Sequence, residues 1–157
     1  RAGTATTYYF GNDETQLDKY AWYEENSNSK FQKSGLKLPN AWGLYDMLGN
    51  VCEWTLDHYE ENPFSNQSDS NNYIFTAANK ARYPKALKGG GFNDAAGALR
   101  CANRFKSDAS WNRRDPQIPK SKWWLTDAAA VGFRIIRPLE QPDAKQVNEF
   151  FKQYLGK

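Results

Sequence analysis

Turn-forming residues interrupt this chain so often that only its C-terminal tail is periodic enough to form a long helix. In that tail, apolar residues recur at helical spacing to form an apolar stripe, at Val147, Phe150, Phe151, Tyr154 and Leu155. Asp143 and Gln146 precede the stripe with the spacing of a capping box, and Gly156 follows it as a stop signal. The sequence therefore predicts one helix at the C-terminus and short strands and loops elsewhere. We expect the apolar stripe to be buried, either against this chain or against a partner.

Alternation of apolar and polar residues predicts short strands rather than further helices. The alternating segments are residues 51–56, 99–105 and 131–137. In the first segment Cys52, Trp54 and Leu56 share one face, and we expect that face to lie against the core. Pro138 directly follows the last segment and ends it.

Two segments carry neither a strand period nor a helix period. Residues 60–73 are almost wholly polar, which is typical of a solvated loop. Residues 110–127 contain three tryptophans and two prolines, and we expect an irregular segment packed by its aromatic rings. Between these segments, the glycines at 89–91 predict a tight bulge between strands. The stretch after them is too short for the helix that a phosphate-binding loop needs.

The composition indicates one globular domain with an aromatic core. A chain of 157 residues fits a single domain, and its apolar share rests on 6 Trp, 9 Tyr and 9 Phe. With 21 Lys and Arg residues against 18 Asp and Glu, the net charge is only +3 and the basic residues are scattered, so nucleic acid is not an expected partner. Because no apolar run approaches the length of a membrane span, we expect no span in this chain.

The few soft or imidazole ligands of the chain do not form a recognisable site. Cys52 and Cys101 are the only cysteines, and they lie far apart without a C-x-x-C pair, so a zinc site is not expected. A disulfide between them and two separate buried thiols both remain open. His58 is the only histidine, and we interpret it as a surface residue, because a histidine metal site or a Ser-His-Asp centre lacks its other parts.

Asp46 and Glu53 are the best candidates for a cation site on the residues alone. A Gly49-Asn50 bend lies between them and would turn both carboxylates and the intervening carbonyls toward one centre. A hard cation such as Ca²⁺ takes roughly 6–8 oxygen ligands of these types. The alternative is that Asp46 caps its own turn and Glu53 lies on a solvated strand face, and spacing alone favours that alternative.

Three ordered segments of the chain resemble the formylglycine-generating enzyme family, also called the sulfatase-modifying-factor family. They are PNAWGLYDMLGNVCEW at 39–54, LKGGGFNDAAGALRCANR at 87–104 and VGFRIIRP at 131–138. The resemblance covers residues 1–138 and implies an α+β, loop-rich, C-type-lectin-like fold with short antiparallel strands. Residues 139–157 would then be a C-terminal helical extension.

The resemblance also implies a calcium site. The family's site uses the positions that match Asp46, Gly49, Val51 and Glu53, through two side chains and two backbone carbonyls. All four positions keep oxygen ligands of the right type here. With this support we expect these four residues to bind Ca²⁺.

The family's oxidative chemistry is not expected. Members that oxidise a substrate cysteine hold copper between two cysteines after the double glycine, and residues 91–97 contain no cysteine here. Gly91 replaces a substrate-contacting serine of the family, and Ala130 replaces an asparagine. We therefore expect no copper and assign no catalytic residue.

Two functions remain open. The first is a non-catalytic, calcium-stabilised binding or structural module, part of a larger protein or assembly outside the cytoplasm: periplasmic, cell-surface or secreted. The second is an enzyme of the same family that oxidatively modifies a protein or a small molecule. Arg1 matches a mid-domain position of the family, so we expect either a protein partner or a missing N-terminal half.

Overall fold

The structure is a computed structural model, and it describes residues 1–62, 83–114, 124–125 and 128–155. Most of the predicted solvated loop at 60–73 and the middle of the predicted irregular segment at 110–127 lie outside the described residues. Gly156 and the side chains of Tyr154 and Leu155 also lie outside them.

The described residues form short strands, three short 3₁₀ helices and one α-helix. The strands are β1 Cys52–His58, β2 Lys85–Lys88, β3 Phe105–Lys106, β4 Arg113–Arg114, β5 Trp124–Leu125 and β6 Val131–Gly132. The 3₁₀ helices are Glu14–Lys19, Ala96–Leu99 and Ala109–Asn112, and the α-helix α1 is Ala144–Leu155. Within this part of the chain, none of the helices has the length and apolar character needed to cross a membrane. The fold is α+β and loop-rich, as the sequence predicts.

Strand β1 is central to the larger sheet, whose strand order is β3-β2-β1-β6. It pairs antiparallel with β2, where Trp54 lies opposite Leu87, and parallel with β6, where Cys52 lies opposite Val131. β2 also pairs antiparallel with β3, and β4 and β5 form a separate antiparallel pair. The predicted irregular segment at 110–127 thus contains two short strands.

The core is built mainly from aromatic and aliphatic residues of the first 48 residues, and Leu99 of the second 3₁₀ helix packs among them. Its buried members are Tyr8, Tyr9, Leu17, Ala21, Tyr23, Leu48 and Leu99. The Phe10 ring stacks on Tyr8 at 5.1 Å and on Tyr20 at 4.1 Å between centroids. Each large apolar side chain that is fully buried contributes about 1.5–3 kcal/mol to stability. In this fold aromatic rings therefore supply the buried apolar surface that long helices supply in other folds.

The expected core face of β1 is buried only at its first residue. Cys52 is 5% exposed, whereas Trp54 is 37% and Leu56 is 40% exposed, so the prediction for these two residues is wrong. The core reaches β1 at its N-terminal end, near Leu48. Farther along the strand, Trp54 meets Tyr83 and Trp111 only edge-on, at 6.2 and 6.1 Å between ring centroids.

Two other predicted strands are much shorter than expected. Leu99, at the start of the predicted strand 99–105, instead ends a 3₁₀ helix, and pairing begins only at Phe105. In the predicted strand 131–137, pairing stops after Gly132. Two residues beyond that point, the Arg134 side chain bonds to Glu53 of β1 and to the Tyr45 carbonyl of a neighbouring loop.

The predicted C-terminal helix and its capping box are confirmed. The Gln146 N–H donates to Asp143 Oδ1 at 2.8 Å, and the Asp143 N–H donates to Gln146 Oε1 at 2.9 Å. The described part of the apolar stripe is not buried against this chain, since Phe150 is 42% and Phe151 is 43% exposed.

Gly49 lies where two loops approach most closely. Its φ is +71°, and a Cβ placed on it would lie 2.2 Å from the Trp22 carbonyl oxygen. Gly43 has a similar φ of +75°, but a Cβ there would meet nothing within 4 Å. The two glycines share the backbone requirement and differ in the available space.

We predict that Gly49→Ala destabilises the protein by more than about 2 kcal/mol, because a positive φ and a steric overlap each cost about 1–3 kcal/mol. Gly43→Ala is the matched control and should cost about 1–2 kcal/mol, from the backbone alone. Urea unfolding followed by circular dichroism measures both values. Equal losses for the two variants would contradict the close approach at Gly49.

Candidate functional site

The turn from Asp46 to Glu53 brings both predicted carboxylates to one cleft of about 520 Å³. Asp46 and Asn50 have φ values of +52° and +62°, which fold the turn back on itself. Arg134 also faces the cleft, and apolar residues form its remaining wall, among them Leu44, Tyr45, Val51, Phe133 and Ile135. The predicted side-chain ligands are therefore brought together, while Gly49 lies behind the cleft against Trp22.

Asn50 fixes the back of the turn. Its Oδ1 accepts from the Gln32 N–H at 2.8 Å, and its Nδ2 donates to the Gln32 carbonyl at 3.0 Å. The side chain is buried, so both bonds are shielded from water. This pair of bonds holds the loop around residue 32 to the turn.

Asp46 has one bonded and one unbonded carboxylate oxygen. Oδ2 accepts from the Gly35 N–H at 2.8 Å. Oδ1 is buried and has no hydrogen-bond partner among the described residues. A buried carboxylate oxygen without a partner is unfavourable, and a cation at that oxygen would remove the penalty.

Glu53 is held by Arg134 in a two-point ion pair. Arg134 Nε donates to Oε2 at 3.0 Å and Nη2 donates to Oε1 at 2.7 Å. The same Nη2 donates to the carbonyl oxygens of Tyr45 at 3.0 Å and Asp46 at 3.2 Å. Arg134 is not among the predicted site residues, although it belongs to the 131–138 motif. Its guanidinium joins β1, the turn and the C-terminal segment.

The donor set fits a hard cation. Asp46 Oδ1 is free, and each Glu53 oxygen keeps a lone pair beyond its bond to Arg134. Within the described ranges, His, Cys, Asp and Glu side chains do not gather in groups of three or more. A cation here would need backbone carbonyls for its remaining ligands, and the sequence predicts those of Gly49 and Val51 for that role.

Comparison with known proteins identifies the family. The sulfatase-modifying factor enzyme 1-like domain matches residues 1–118. The chain belongs to this family. The family predicted from the three motifs is thereby confirmed. A search of curated protein sequences found no match.

Two solved structures share the fold. Treponema denticola variable protein 1 is 25% identical with a TM-score of 0.59, and the alignment covers 84% of this chain and 41% of that one. PvdO from Pseudomonas aeruginosa is 24% identical with a TM-score of 0.60, with 85% and 46% covered. The predicted C-type-lectin-like fold is confirmed, and the chain spans less than half the length of either neighbour.

Gly91 and Ala130, two of the positions at which the resemblance implies a departure from the oxidising members, lie side by side. A Cβ on Gly91 would lie 3.0 Å from the Ala130 Cβ. The Asp94 carboxylate accepts from the Gly91 N–H at 2.7 Å, so it closes its own turn. Gly89 and Gly90, with φ values of +96° and +75°, lead into this turn rather than into a bulge between strands.

Both cysteines are free, which decides between the two predicted alternatives. The Cys52 thiol donates to the Lys88 carbonyl at 3.2 Å, and burial raises its pKa from 9.0 to about 11. It is therefore a protonated, poorly nucleophilic thiol at neutral pH. Cys101 is half-buried. His58 ends β1 and is also half-buried, not on the open surface as predicted.

We predict that iodoacetamide alkylates Cys101 faster than Cys52 in the folded protein at pH 8. A rise of about two pKa units lowers the Cys52 thiolate fraction by about 100-fold, and burial adds a steric barrier. Mass spectrometry of the Cys52→Ser and Cys101→Ser variants assigns each rate. Both thiols should react alike in urea, and equal rates in the folded state would contradict the burial of Cys52.

The raised pKa of Cys52 also predicts a loss of stability at alkaline pH. Between about pH 9 and pH 11 the folded protein keeps the Cys52 proton, whereas the unfolded chain loses it. The contribution of this thiol to the free energy of unfolding is therefore full below pH 9 and falls as the pH rises toward 11. The free energy of unfolding should drop by about 1 kcal/mol between pH 8 and pH 10 from this group. Urea titrations of wild type and Cys52→Ala measure it, and the difference between the two proteins should be pH-dependent. A difference in the free energy of unfolding that stays constant with pH would contradict the raised pKa of Cys52.

Proposed function

We propose that this chain is a non-catalytic, calcium-stabilised module that serves binding or structure within a larger protein or assembly. The observation that supports it most directly is the buried, unpartnered Oδ1 of Asp46, a residue that lines one cleft together with Glu53. Calcium supplies positive charge and oxygen coordination when bound. Asp46, Glu53 and the carbonyls of Gly49 and Val51 would hold it.

Such a cation would stabilise the fold at the point where several loops converge. Asp46 already bonds to Gly35, and Glu53 belongs to the central strand β1. A cation between the two carboxylates would tie the loop to the sheet. It would also offset the negative charge that the single guanidinium of Arg134 leaves unbalanced.

The affinity of such a site fits a calcium-rich compartment. Only two carboxylates contribute, and one of them is shared with Arg134. Sites with few charged ligands resemble those of extracellular modules, which bind at about 10⁻⁴–10⁻³ M. We therefore propose a location outside the cytoplasm.

The chemistry of residues 91–97, which follow the double glycine, supports a non-catalytic function. Asp94 is occupied by its bond to Gly91, and Cys52 is held as a protonated thiol. Gly91 and Ala130, at positions where the oxidising members carry polar residues, offer no side-chain donor or acceptor. All of these groups except Gly91 border a cleft of about 280 Å³ that Asn93 and Lys106 also line, and its described lining contains no reactive thiolate or imidazole.

Membership of a larger assembly is supported by exposed apolar side chains. Phe133 is 74%, Ile135 is 84% and Leu139 is 102% exposed. Apolar surface this extensive marks an interaction site in a soluble protein. We propose that further polypeptide, from the same protein or from a partner, covers it.

We predict that calcium raises the melting temperature of the chain. With a Kd of about 10⁻⁴–10⁻³ M, 10 mM Ca²⁺ adds about 1.4–2.7 kcal/mol, which is about 3–10 °C for a domain of this size. Differential scanning calorimetry in 10 mM CaCl₂ and in EDTA measures the shift.

Asp46→Asn should remove most of the calcium-dependent shift, because the amide still accepts from Gly35 but loses the charged ligand. Glu24→Gln is the matched control, since Glu24 is an exposed carboxylate outside the cleft. Its shift should equal that of wild type. The absence of a shift in wild type, or a full shift in Asp46→Asn, would refute the proposal.

A further inference from the structure

The guanidinium of Arg134 lies among oxygen atoms of the kind that a hard cation takes. Its Nη2 lies 2.7 Å from Glu53 Oε1, 3.0 Å from the Tyr45 carbonyl oxygen and 3.2 Å from the Asp46 carbonyl oxygen. An Nη2 group carries two N–H donors, so three oxygens at this one nitrogen exceed the bonds that it can make singly. Several oxygens that converge on one positive charge resemble the ligand shell of an oxygen-coordinated cation. In this structure the guanidinium therefore takes the role of a cation in the cleft.

The charges of the cleft do not balance when both cations are present. Among the described residues that line the cleft, Asp46 and Glu53 are the carboxylates and Arg134 is the cation. With Arg134 alone the net charge of this lining is −1, and a bound divalent cation changes it to +1. Withdrawal of Arg134 from Glu53 brings the charge around a divalent cation to zero. Charge balance therefore favours one cation at a time on Glu53.

The two cations would also lie close together. Calcium binds oxygen at about 2.3–2.6 Å, and the Arg134 nitrogens lie 2.7 and 3.0 Å from the Glu53 oxygens. A calcium ion on a Glu53 oxygen is therefore within about 6 Å of the guanidinium. Repulsion between a divalent and a monovalent cation at that separation lowers the affinity about 10-fold, even at the dielectric constant of water. By linkage, each cation weakens the binding of the other by the same factor.

Arg134 also connects the segment after β6 to the rest of the fold. The hydrogen bonds that the structure describes for residues 133–137 all come from the Arg134 side chain. They end on Glu53 of β1 and on the carbonyls of Tyr45 and Asp46 in the turn. A cation that weakens these bonds therefore loosens the attachment of 133–137 to the turn.

We propose that Arg134 is a built-in competitor of the cation at Glu53. It keeps the calcium affinity of the cleft low, and calcium in turn weakens the ion pair between Arg134 and Glu53 and the attachment of residues 133–137. This inference rests on the proposed function, because it names how that same calcium site is regulated.

Isothermal titration calorimetry with CaCl₂ tests the competition on the full chain. Arg134→Gln should bind calcium at least about 10-fold more tightly than wild type, because the competing charge is gone. Arg137→Gln is the matched control, since it removes the same charge from the same segment. Arg137 is exposed, and its side chain makes no ion pair with the described part of the chain. Its Kd should stay within about 2-fold of wild type, because solvent and salt screen an exposed charge.

A second measurement uses the wild-type chain and so does not depend on the folding of Arg134→Gln. The Arg134 Nε–H donates to Glu53 Oε2 at 3.0 Å, and its resonance can be followed by ¹H–¹⁵N NMR. Added CaCl₂ should shift this resonance and speed the exchange of its proton with water. Arg134→Lys lacks the Nε–H group and assigns the resonance.

The outcomes separate this inference from the proposed function. Calcium binding by wild type together with equal or weaker binding by a folded Arg134→Gln variant would overturn the competition and leave the calcium site standing. An Arg134 Nε–H resonance that does not change at saturating calcium would have the same meaning. If wild type and folded Arg134→Gln both fail to bind calcium, the calcium site itself is contradicted, and the competition with it.

Discussion

The turn at Gly49 and Asn50 is the contact on which the rest of the structure depends. The Asn50 N–H donates to the Trp22 carbonyl at 2.7 Å, and the Gly49 N–H donates to the Gly89 carbonyl at 3.0 Å. The Asn50 carbonyl in turn accepts from the Phe92 N–H at 2.8 Å. One turn thereby joins the N-terminal loops, the central strand and the segment after β2. In a fold with so little regular structure, hydrogen bonds between loops satisfy backbone groups that long β-strands would pair in other folds.

The cleft that Asp46 and Glu53 line is a consequence of that turn. Because the backbone reverses between Asp46 and Glu53, two carboxylates from different local structures face the same space. The Glu53 carboxylate is matched by the Arg134 guanidinium, whereas Asp46 Oδ1 is not matched by any described donor. An unpartnered buried polar atom costs about 1–3 kcal/mol. The fold therefore carries a local deficit of positive charge at the place where the sequence predicts calcium.

Local interactions in this protein could be predicted from the sequence, and distant ones could not. The Asp143–Gln146 capping box follows from a spacing of three residues, and the family follows from three motifs. Arg134 could not be predicted as the partner of Glu53, because 81 positions separate them and only the parallel pairing of β1 with β6 brings them together. The alternation at 51–56 predicts a strand correctly but not how far the core extends along it, so the exposure of Trp54 was not foreseeable.

The buried apolar residues are distributed unevenly over the described part of the fold. The buried cluster lies in the N-terminal loops, around Tyr8 and Leu99, while the edge beyond β6 and the described part of the apolar stripe are exposed. A core on one side of the sheet leaves the other edge without apolar stabilisation. At the end of that core, the bond of Asp46 to the Gly35 N–H and the ion pair of Glu53 with Arg134 hold the turn, so polar bonds replace apolar packing on this side of the sheet.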